Sequence, residues 1–405
     1  MKCAFTICTY SYLGLAKTLI SSFEKYNKGY DFWIVCIDCN GNIEKCILAD
    51  TLFDKSIDEK ELLKRKFQYD ITEYSTFVKP FAFKYFFAKN YEKVVYFDPD
   101  IMFFSEFTDI LDERYSAFVT PHKVFNAAQD MINEEVDISN HGVYNCGFIC
   151  FNNDEYSHYF IDFWCDRLLD YCYIDEEHGV YTDQKWVDFI HVKMIDRVKI
   201  INNIGCNVAP WNLNERLITK VNDEFIVKHD NICSKMVFFH FSGFDYRALL
   251  KGEVVHKSGL LKNDICMEEL FEVYKNSLNN NKTIELLSTK YRYAFYSNGT
   301  VITKLNRRLY RIIKDKNAYG DPFSSEGKFY LRMKRNHLLS NKKVDANKSN
   351  TEKIGAKQKL LLLLLRSIKG ILGIDKYVEF IRGIHMYSTY EKQYFLVADE
   401  DGDNV

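Results

Sequence analysis

The stretch Val94-Val95-Tyr96-Phe97-Asp98-Pro99-Asp100-Ile101 carries the clearest signal in the chain for both architecture and chemistry. Its apolar and aromatic first half predicts a short buried strand, and two carboxylates follow where that strand ends. Pro99 stiffens the turn between them. Two acids one residue apart can face one hard cation, because carboxylate oxygens are preferred ligands of Mg²⁺ and Mn²⁺. A solvated turn that merely ends a strand is the alternative.

Upstream of this stretch, apolar runs alternate with helical patterns. Strands are predicted at residues 4–8, 32–37 and 94–97, and helices at 12–26, 43–52 and 77–88. Pro80 is expected in the first turn of the third helix, where proline is tolerated. The alternation predicts an α/β fold with a mostly parallel sheet flanked by helices. In such sheets ligands bind beyond the carboxyl ends of the strands, which is where the two acids lie.

Downstream, the segment Phe238-Phe239-His240-Phe241-Ser242-Gly243 supplies a second candidate. His240 ends an apolar run, and a buried histidine is more often a core residue than a ligand. Combined with the acid pair, it becomes a candidate third ligand, because imidazole suits Mn²⁺. Gly243 would let the backbone approach a diphosphate. Further strands are predicted at 117–120, 147–151 and 198–201, and helices at 155–173 and 268–278.

The distribution of charge separates the C-terminal region from the rest. Residues 304–369 hold 18 Lys and Arg against 5 Asp and Glu, whereas the remainder holds 36 against 51. An acidic body argues against a nucleic-acid-binding protein and fits a soluble enzyme with a basic segment that could touch anionic lipid.

The length of 405 residues exceeds one typical core. We expect a catalytic domain at 1–265, a helical extension at 266–335, a mobile polar linker at 336–357 and an amphipathic helical segment at 358–405. The last contains six consecutive leucines, 360–365, between basic residues. It could pack on the body, pair with a partner or lie on a membrane surface.

The 12 cysteines show no zinc-type pattern beyond the single C-x-x-C of Cys36 and Cys39. Reduced, mostly buried thiols are the expected state. No secretory signal and no apolar run long enough for a membrane span are visible. These features favour a cytoplasmic protein, with peripheral placement at the inner face of a membrane as an extension of that prediction.

Together with the acid pair, several motifs resemble the family 8 glycosyltransferases and related GT-A enzymes of bacterial glycan biosynthesis. They are Cys8-Thr9-Tyr10, Phe77-Val78-Lys79-Pro80, Tyr144-Asn145-Cys146-Gly147-Phe148, Thr182-Asp183-Gln184 and His240-Phe241-Ser242-Gly243. The resemblance implies the Rossmann-like GT-A fold. It also implies a metal site for Mn²⁺ or Mg²⁺ formed by Asp98, Asp100 and His240.

The resemblance further assigns residues to a nucleotide-sugar donor. The nucleoside, expected to be uridine, would be contacted by Thr9 and Tyr10, and the rest of the donor by Lys79, Asp98 and Gly243. The transferred sugar would be surrounded by Asn145, Gly147, Asp183 and Gln184. Of these, Asp183 and Gln184 are the expected catalytic pair.

One departure concerns the residues after Gly243. Members of the family continue with Lys-Pro-Trp, whose lysine grips the diphosphate, but here Phe244-Asp245-Tyr246-Arg247 follows. Tyr246 or Arg247 is expected to take the place of that lysine. Trp211 either stacks on an acceptor sugar or belongs to the core.

The resulting prediction is a metal-dependent hexosyltransferase. It would move a sugar from a UDP-sugar to a glycan or lipid-linked acceptor with retention of configuration. The expected process is polysaccharide biosynthesis. One alternative is a sugar nucleotidyltransferase, although residues 9–14 contain one glycine and no basic residue. Another is a non-catalytic glycan-binding scaffold, which the intact Asp98, Asp100 and His240 argue against.

Overall fold

The computed structural model describes residues 1–53, 57–107, 111–126, 132–257, 265–340 and 355–397. The chain forms two compact units, one of residues 1–58 and 71–291 and one of residues 59–70 and 292–405. The domain boundaries expected at 265, 335 and 357 stay predictions. Most of the expected linker, residues 341–354, and the chain end from 398 lie outside the described residues.

All described strands belong to the first unit. They are β1 (Lys2–Cys8), β2 (Tyr30–Cys36), β3 (Cys46–Leu48), β4 (Lys93–Phe97), β5 (Ile101–Phe103), β6 (Ala117–Pro121), β7 (Tyr144–Asn152), β8 (Ile174–Asp175), β9 (Val180–Tyr181), β10 (Val198–Ile200), β11 (Leu217–Val221), β12 (Glu224–His229), β13 (Ile232–Lys235) and β14 (Phe238–His240). The helices of both units are α1 (Leu13–Tyr26), α2 (Glu59–Gln68), α3 (Ile71–Ala88), α4 (Ile132–His141), α5 (Glu155–Tyr171), α6 (Gln184–Val187), α7 (Ile190–Lys193), α8 (Tyr246–Leu250), α9 (Ile265–Asn280), α10 (Thr283–Leu286), α11 (Lys304–Ile312), α12 (Lys328–Arg335) and α13 (Gly355–Met386).

The central sheet has seven strands in the order β10-β6-β7-β4-β1-β2-β3. Its neighbours pair in parallel except at β7, which runs antiparallel to both β4 and β6. The predicted mostly parallel α/β sheet is therefore confirmed. β4 and the adjoining β1 end at the same edge, so the residues that follow each strand come close together.

Aromatic packing explains why the short runs around the acid pair become strands. Every residue of β4 is buried. Phe23 of α1 is fully buried and contacts Phe97 and Phe103, with ring centroids 5.6 and 5.2 Å apart. Such ring pairs bury large apolar surfaces and fix their mutual orientation. The two acids thus lie between two strands, β4 and β5, whose side chains are buried in a closely packed aromatic core.

Two local predictions were wrong. Residues 43–52 were expected to be helical, but they form strand β3 followed by a 3₁₀ turn at Ala49–Phe53. Tertiary pairing of β3 with β2 outweighs the local pattern there. Pro80 lies in the interior of α3, because this helix begins at Ile71 rather than near Phe77. Its ring removes one helical donor in a helix that tertiary packing stabilises.

The predicted reduced state of all the cysteines is also wrong for one pair. Cys36 and Cys39 form a disulfide, with Cα atoms 5.6 Å apart, and the other ten cysteines are free. The bond closes a turn immediately after β2 and encloses Asp38. C-x-x-C spacing places two thiols on one turn, so the sequence already contained the geometric requirement.

The second unit has its own aromatic core and carries the long helix α13. Phe67 of α2 contacts Tyr310 and Phe329, with ring centroids 4.8 and 5.5 Å apart. The regular backbone of α13 is interrupted at Gly373, whose φ is +73°. Across the parts of the chain described above, no helix combines the length and the apolar character that a bilayer crossing requires.

Candidate functional site

Strand register brings the acid pair and His240 together. β14 pairs antiparallel with β5, and in this register His240 lies opposite Ile101, the residue that follows Asp100. The N–H of Phe241 donates to the carbonyl of Asp100 at 2.8 Å. On the other side, the N–H of Asp98 donates to the carbonyl of Gly147 at 2.8 Å. Residues distant in sequence are therefore fixed by backbone bonds around one point.

The three predicted metal ligands form one compact group. Nε2 of His240 lies 3.1 Å from Oδ1 of Asp100 and 3.5 Å from Oδ2 of Asp98. The imidazole is 3% exposed, whereas the side chains of Asp98 and Asp100 are 30% and 15% exposed. The site is therefore open on its acidic side. Two carboxylates and one imidazole are a donor set that fits Mn²⁺ or Mg²⁺.

Two tyrosine hydroxyls orient the carboxylates. The hydroxyl of Tyr96 donates to Oδ1 of Asp98 at 2.5 Å, and that of Tyr246 donates to Oδ2 of Asp100 at 2.9 Å. The Tyr246 hydroxyl oxygen also lies 2.7 Å from the carbonyl oxygen of Phe241, so its single hydrogen is shared between the two acceptors. Each acid thus keeps its other oxygen facing His240. Second partners of this kind fix the orientation of ligating groups.

The electrostatics of the group follow from burial and mutual charge. Burial raises the pKa of Asp98, despite the opposing charges of Lys79 and His240. Burial alone would raise the pKa of Asp100 too, but the charge and hydrogen bond of His240 lower it overall. The two acids in turn raise the pKa of His240 against the effect of burial. The two acids therefore stabilise a positive charge that lies between them, such as a protonated imidazole or a bound cation.

Lys79 and Asp183 form a buried ion pair next to the acids. Nζ of Lys79 lies 2.6 Å from Oδ2 of Asp183, and both side chains are 2% exposed. The ammonium also donates to the carbonyl of Cys146 at 2.9 Å and lies 4.2 Å from the ring centroid of Tyr96. Asp183, and more weakly Asp98, raise the pKa of Lys79 against the effect of burial. Lys79 therefore remains a cation.

Gln184 links the start of α6 to strand β7. Its Oε1 accepts from the N–H of Cys146 at 3.0 Å, and its Nε2 donates to the carbonyl of His141 at 3.0 Å. Asn145 is buried beside it, and its Oδ1 accepts from the N–H of Gly147 at 3.2 Å. The structure therefore brings together the four residues predicted to surround the sugar.

Gly147 allows strand β7 to pass directly beneath His240. A Cβ atom at this position would lie 2.4 Å from Cε1 of His240 and 2.7 Å from Oδ1 of Asn145. Real Cβ contacts are never this close, so any side chain would displace the imidazole.

We expect Gly147→Ala to lower Mn²⁺ affinity and donor turnover by at least about 10²-fold, because a shift of roughly 1 Å in a positioned group has this effect. Calorimetric titration with Mn²⁺ and a donor-hydrolysis assay measure the two quantities. Gly383→Ala is the matched control, since nothing lies within 4 Å of a Cβ there. Wild-type Mn²⁺ affinity in Gly147→Ala would contradict the packing argument.

Residues 207–211 lie beside the acid pair and His240, although the sequence predicts no role for Asn207 and leaves two open for Trp211. Asn207 has φ of +53°, and its Nδ2 donates to Oδ1 of Asn145 at 3.3 Å. The Trp211 ring packs edge-on against His240, with centroids 5.2 Å apart. Nε1 of Trp211 and Oδ1 of Asn207 are buried without a hydrogen-bond partner among the described residues. Buried polar atoms are normally hydrogen-bonded, so these two atoms are candidates to bind a ligand or a water molecule.

The N-terminal loop reaches the same edge. Thr9 is buried and its hydroxyl lies 2.8 Å from that of Ser11, while the N–H of Tyr10 donates to Oδ1 of Asp38 at 2.7 Å. Tyr12 stands edge-on to the ring of Tyr246, with centroids 5.8 Å apart. Burial and then the charge of Asp100 raise the pKa of Tyr12 to about 12.

The turn after His240 lies next to a cation, Lys257, that no sequence motif indicates. Gly243 has φ of +82°, and a Cβ there would lie 2.9 Å from Cε of Lys257. The N–H of Lys257 donates to the carbonyl of Gly243 at 3.0 Å. Lys257 is exposed. Arg247, one of the two residues expected to replace the family's lysine, donates to the carbonyl of Leu287 at 2.5 Å. No sequence spacing indicates Lys257, because it reaches Gly243 only through the path of the chain between the two residues.

Comparison with known proteins finds similarity in the first part of the chain. Residues 3–162 match the model of glycosyl transferase family 8. A curated relative, described as the uncharacterized protein YfnF of Bacillus subtilis (strain 168), is 24% identical over 261 residues, or 62% of this chain and 85% of the relative.

Two solved structures are similar at low identity. The galactosyltransferase LgtC in complex with donor and acceptor sugar analogs is 13% identical, with a TM-score of 0.39 over 72% of this chain and 98% of that one. The glycosyltransferase GlyE of Streptococcus pneumoniae TIGR4 is 12% identical, with a TM-score of 0.38 over 69% of this chain and 63% of that one. The family match confirms the predicted resemblance and the predicted enzyme class, glycosyltransferase.

Proposed function

We propose that this glycosyltransferase is metal-dependent and moves a hexose-type sugar from a UDP-sugar to a glycan or lipid-linked acceptor, with retention of configuration. The observation that carries the proposal is the group formed by Asp98, Asp100 and His240, in which one imidazole nitrogen faces two carboxylates within 3.5 Å. The donor atoms suit Mn²⁺ or Mg²⁺. The proposed location is the cytoplasm, including the inner face of a membrane.

The donor would lie along the carboxyl edge of the sheet. Thr9 and Tyr10 follow β1 and would contact the uridine, while Asp98 and Asp100 follow the neighbouring β4 and would hold the ion with His240. A divalent ion bound there neutralises charge on a departing nucleoside diphosphate. Lys257, packed against Gly243, is an exposed cation that would face the same diphosphate.

The sugar would occupy the space bordered by Asn145, Gly147, Asp183 and Gln184. Lys79 holds the Asp183 carboxylate at 2.6 Å, which makes Asp183 a poor base for an acceptor hydroxyl. An inverting transfer requires such a base, so this ion pair supports retention. Gln184 would act by hydrogen bonding to the sugar. The partnerless Nε1 of Trp211 would donate to a substrate oxygen at the same edge.

Combined binding of UDP and Mn²⁺ tests the proposal. We expect the two together to raise Tm by more than the sum of their separate effects, because both bind the native state and each completes the site of the other. At a ligand concentration of about 100 times Kd, the native state gains roughly 2.7 kcal/mol. Thermal scans with UDP, Mn²⁺, both and neither measure this.

The competing functions give different results in the same format. A sugar nucleotidyltransferase would respond most to a nucleoside triphosphate with Mg²⁺. A glycan-binding scaffold would show no coupling between UDP and Mn²⁺. A screen of nucleotide sugars for Mn²⁺-dependent hydrolysis then identifies the donor, and a lack of hydrolysis for every UDP-sugar would contradict the proposed donor class.

A further inference from the structure

Helix α13 presents a large apolar surface to solvent. None of residues 360–386 is buried. Leu360 is 70% exposed, Leu364 56% and Ile371 83%. Contiguous exposed apolar surface of this extent marks a site of interaction with another apolar phase. The helix is therefore expected to meet a second surface.

The apolar residues before the break at Gly373 are concentrated on one side. Successive residues of a helix are rotated by about 100°, so seven side chains fall within an arc of roughly 140°. This apolar face consists of Leu360, Leu361, Leu364, Leu365, Ile368, Ile371 and Leu372. Arg366 and Lys369 point to the opposite side. The arrangement is that of an interfacial helix.

Charge distinguishes between the surfaces that could cover this face. Residues 355–386 contain six Lys and Arg against two Asp and Glu. A second copy of the helix would bring like charges together, whereas an anionic lipid surface attracts them. No helix in the described ranges suits a membrane crossing, so the helix would lie in the plane of the interface.

We propose that the apolar face of α13 inserts into an anionic phospholipid surface while its basic residues contact the headgroups. This proposal rests on the membrane location given under the proposed function and adds the kind of lipid that the helix would bind. It does not depend on the identity of the sugar donor. Hydrophobic insertion and headgroup attraction together give stable peripheral attachment, which neither provides alone. Attachment would keep the enzyme beside lipid-linked acceptors.

Vesicle sedimentation with the full chain tests the proposal. We expect the protein to sediment with vesicles of phosphatidylcholine containing about 30% phosphatidylserine, to bind pure phosphatidylcholine at least about 10-fold less, and to be released by roughly 0.5 M salt. Leu361→Glu with Leu364→Glu alters the apolar face. Leu362→Glu with Leu363→Glu is the matched control, because it makes the same chemical change on the other side of the helix.

The proposal requires the first pair of substitutions to lower binding at least about 10-fold and the control pair to lower it by no more than about 3-fold. Wild-type protein that stays in the supernatant would overturn it, as would equal losses for both variants. So would a dimer in size-exclusion chromatography that only Leu361→Glu with Leu364→Glu dissociates, in the absence of vesicle binding. Donor hydrolysis is measured in parallel, and its failure in vesicle-binding protein would count against the proposed donor alone.

Discussion

Asp100→Asn is expected to lower Mn²⁺-dependent turnover of the nucleotide-sugar donor by at least about 10²- to 10³-fold, the range that follows loss of one charge-stabilising group. Asp100 is the acid nearest to His240, at 3.1 Å, and the imidazole lowers its pKa, so it is a carboxylate at neutral pH. An amide keeps the shape and can still accept from Tyr246 but removes the negative charge. Donor hydrolysis and calorimetric Mn²⁺ binding measure the effect.

Two comparisons make this result specific. Circular dichroism and urea unfolding should show that Asp100→Asn keeps the fold, with a change in unfolding free energy of no more than about 2 kcal/mol. Asp112→Asn is the control, because Asp112 is a half-buried acid that pairs with the exposed Arg114 at 2.5 Å, and it should retain full turnover. If Asp100→Asn kept both its rate and its Mn²⁺ affinity, Asp100 would not be a metal ligand.

Lys79→Met is expected to lower the free energy of unfolding by about 3–5 kcal/mol, because it leaves a buried carboxylate without its partner. Lys79 and Asp183 are each 2% exposed and 2.6 Å apart, so no solvent replaces the lost ammonium.

A double-mutant cycle separates the stability of the pair from its role at the site. Lys79→Met with Asp183→Leu should recover much of the lost stability without restoring donor turnover. Lys84→Met is the matched control on the same helix, since its ion pair with Asp162 is exposed and worth less than about 1 kcal/mol. Urea unfolding of the wild type, Lys79→Met, Asp183→Leu, the double variant and Lys84→Met measures the cycle and its control. Equal effects at Lys79 and Lys84 would show that the buried pair contributes no more than a surface pair.

The sequence was sufficient wherever local pattern and strand ends determine the outcome. The apolar run before Asp98 predicted β4, and the rule that ligands gather at carboxyl strand ends predicted the position of the acids. The grouping of His240 with them was predicted from the affinity of imidazole for Mn²⁺ and from the family resemblance, and the structure places them within 3.5 Å. The alternation of strands and helices predicted the sheet because period and length leave few alternatives.

What the sequence could not supply depends on contacts between distant segments. The hydroxyls of Tyr96 and Tyr246 reach the two acids, although tyrosines are common throughout this chain and neither stands out. Lys257 contacts Gly243 only because the chain between them folds back on itself. The strand at residues 46–48 arises from pairing with β2, which overrides a helical pattern. Each of these is decided by tertiary geometry.

The pairing of β14 with β5 has a consequence for the order of assembly. About 140 residues separate the acids from the imidazole, so their meeting is a contact of high sequence separation, which forms slowly. On the ribosome, both carboxylates emerge well before the histidine is synthesised. A fragment ending at residue 162 would contain the acids without their third partner. The proposed metal site would therefore be complete only after synthesis has passed residue 240.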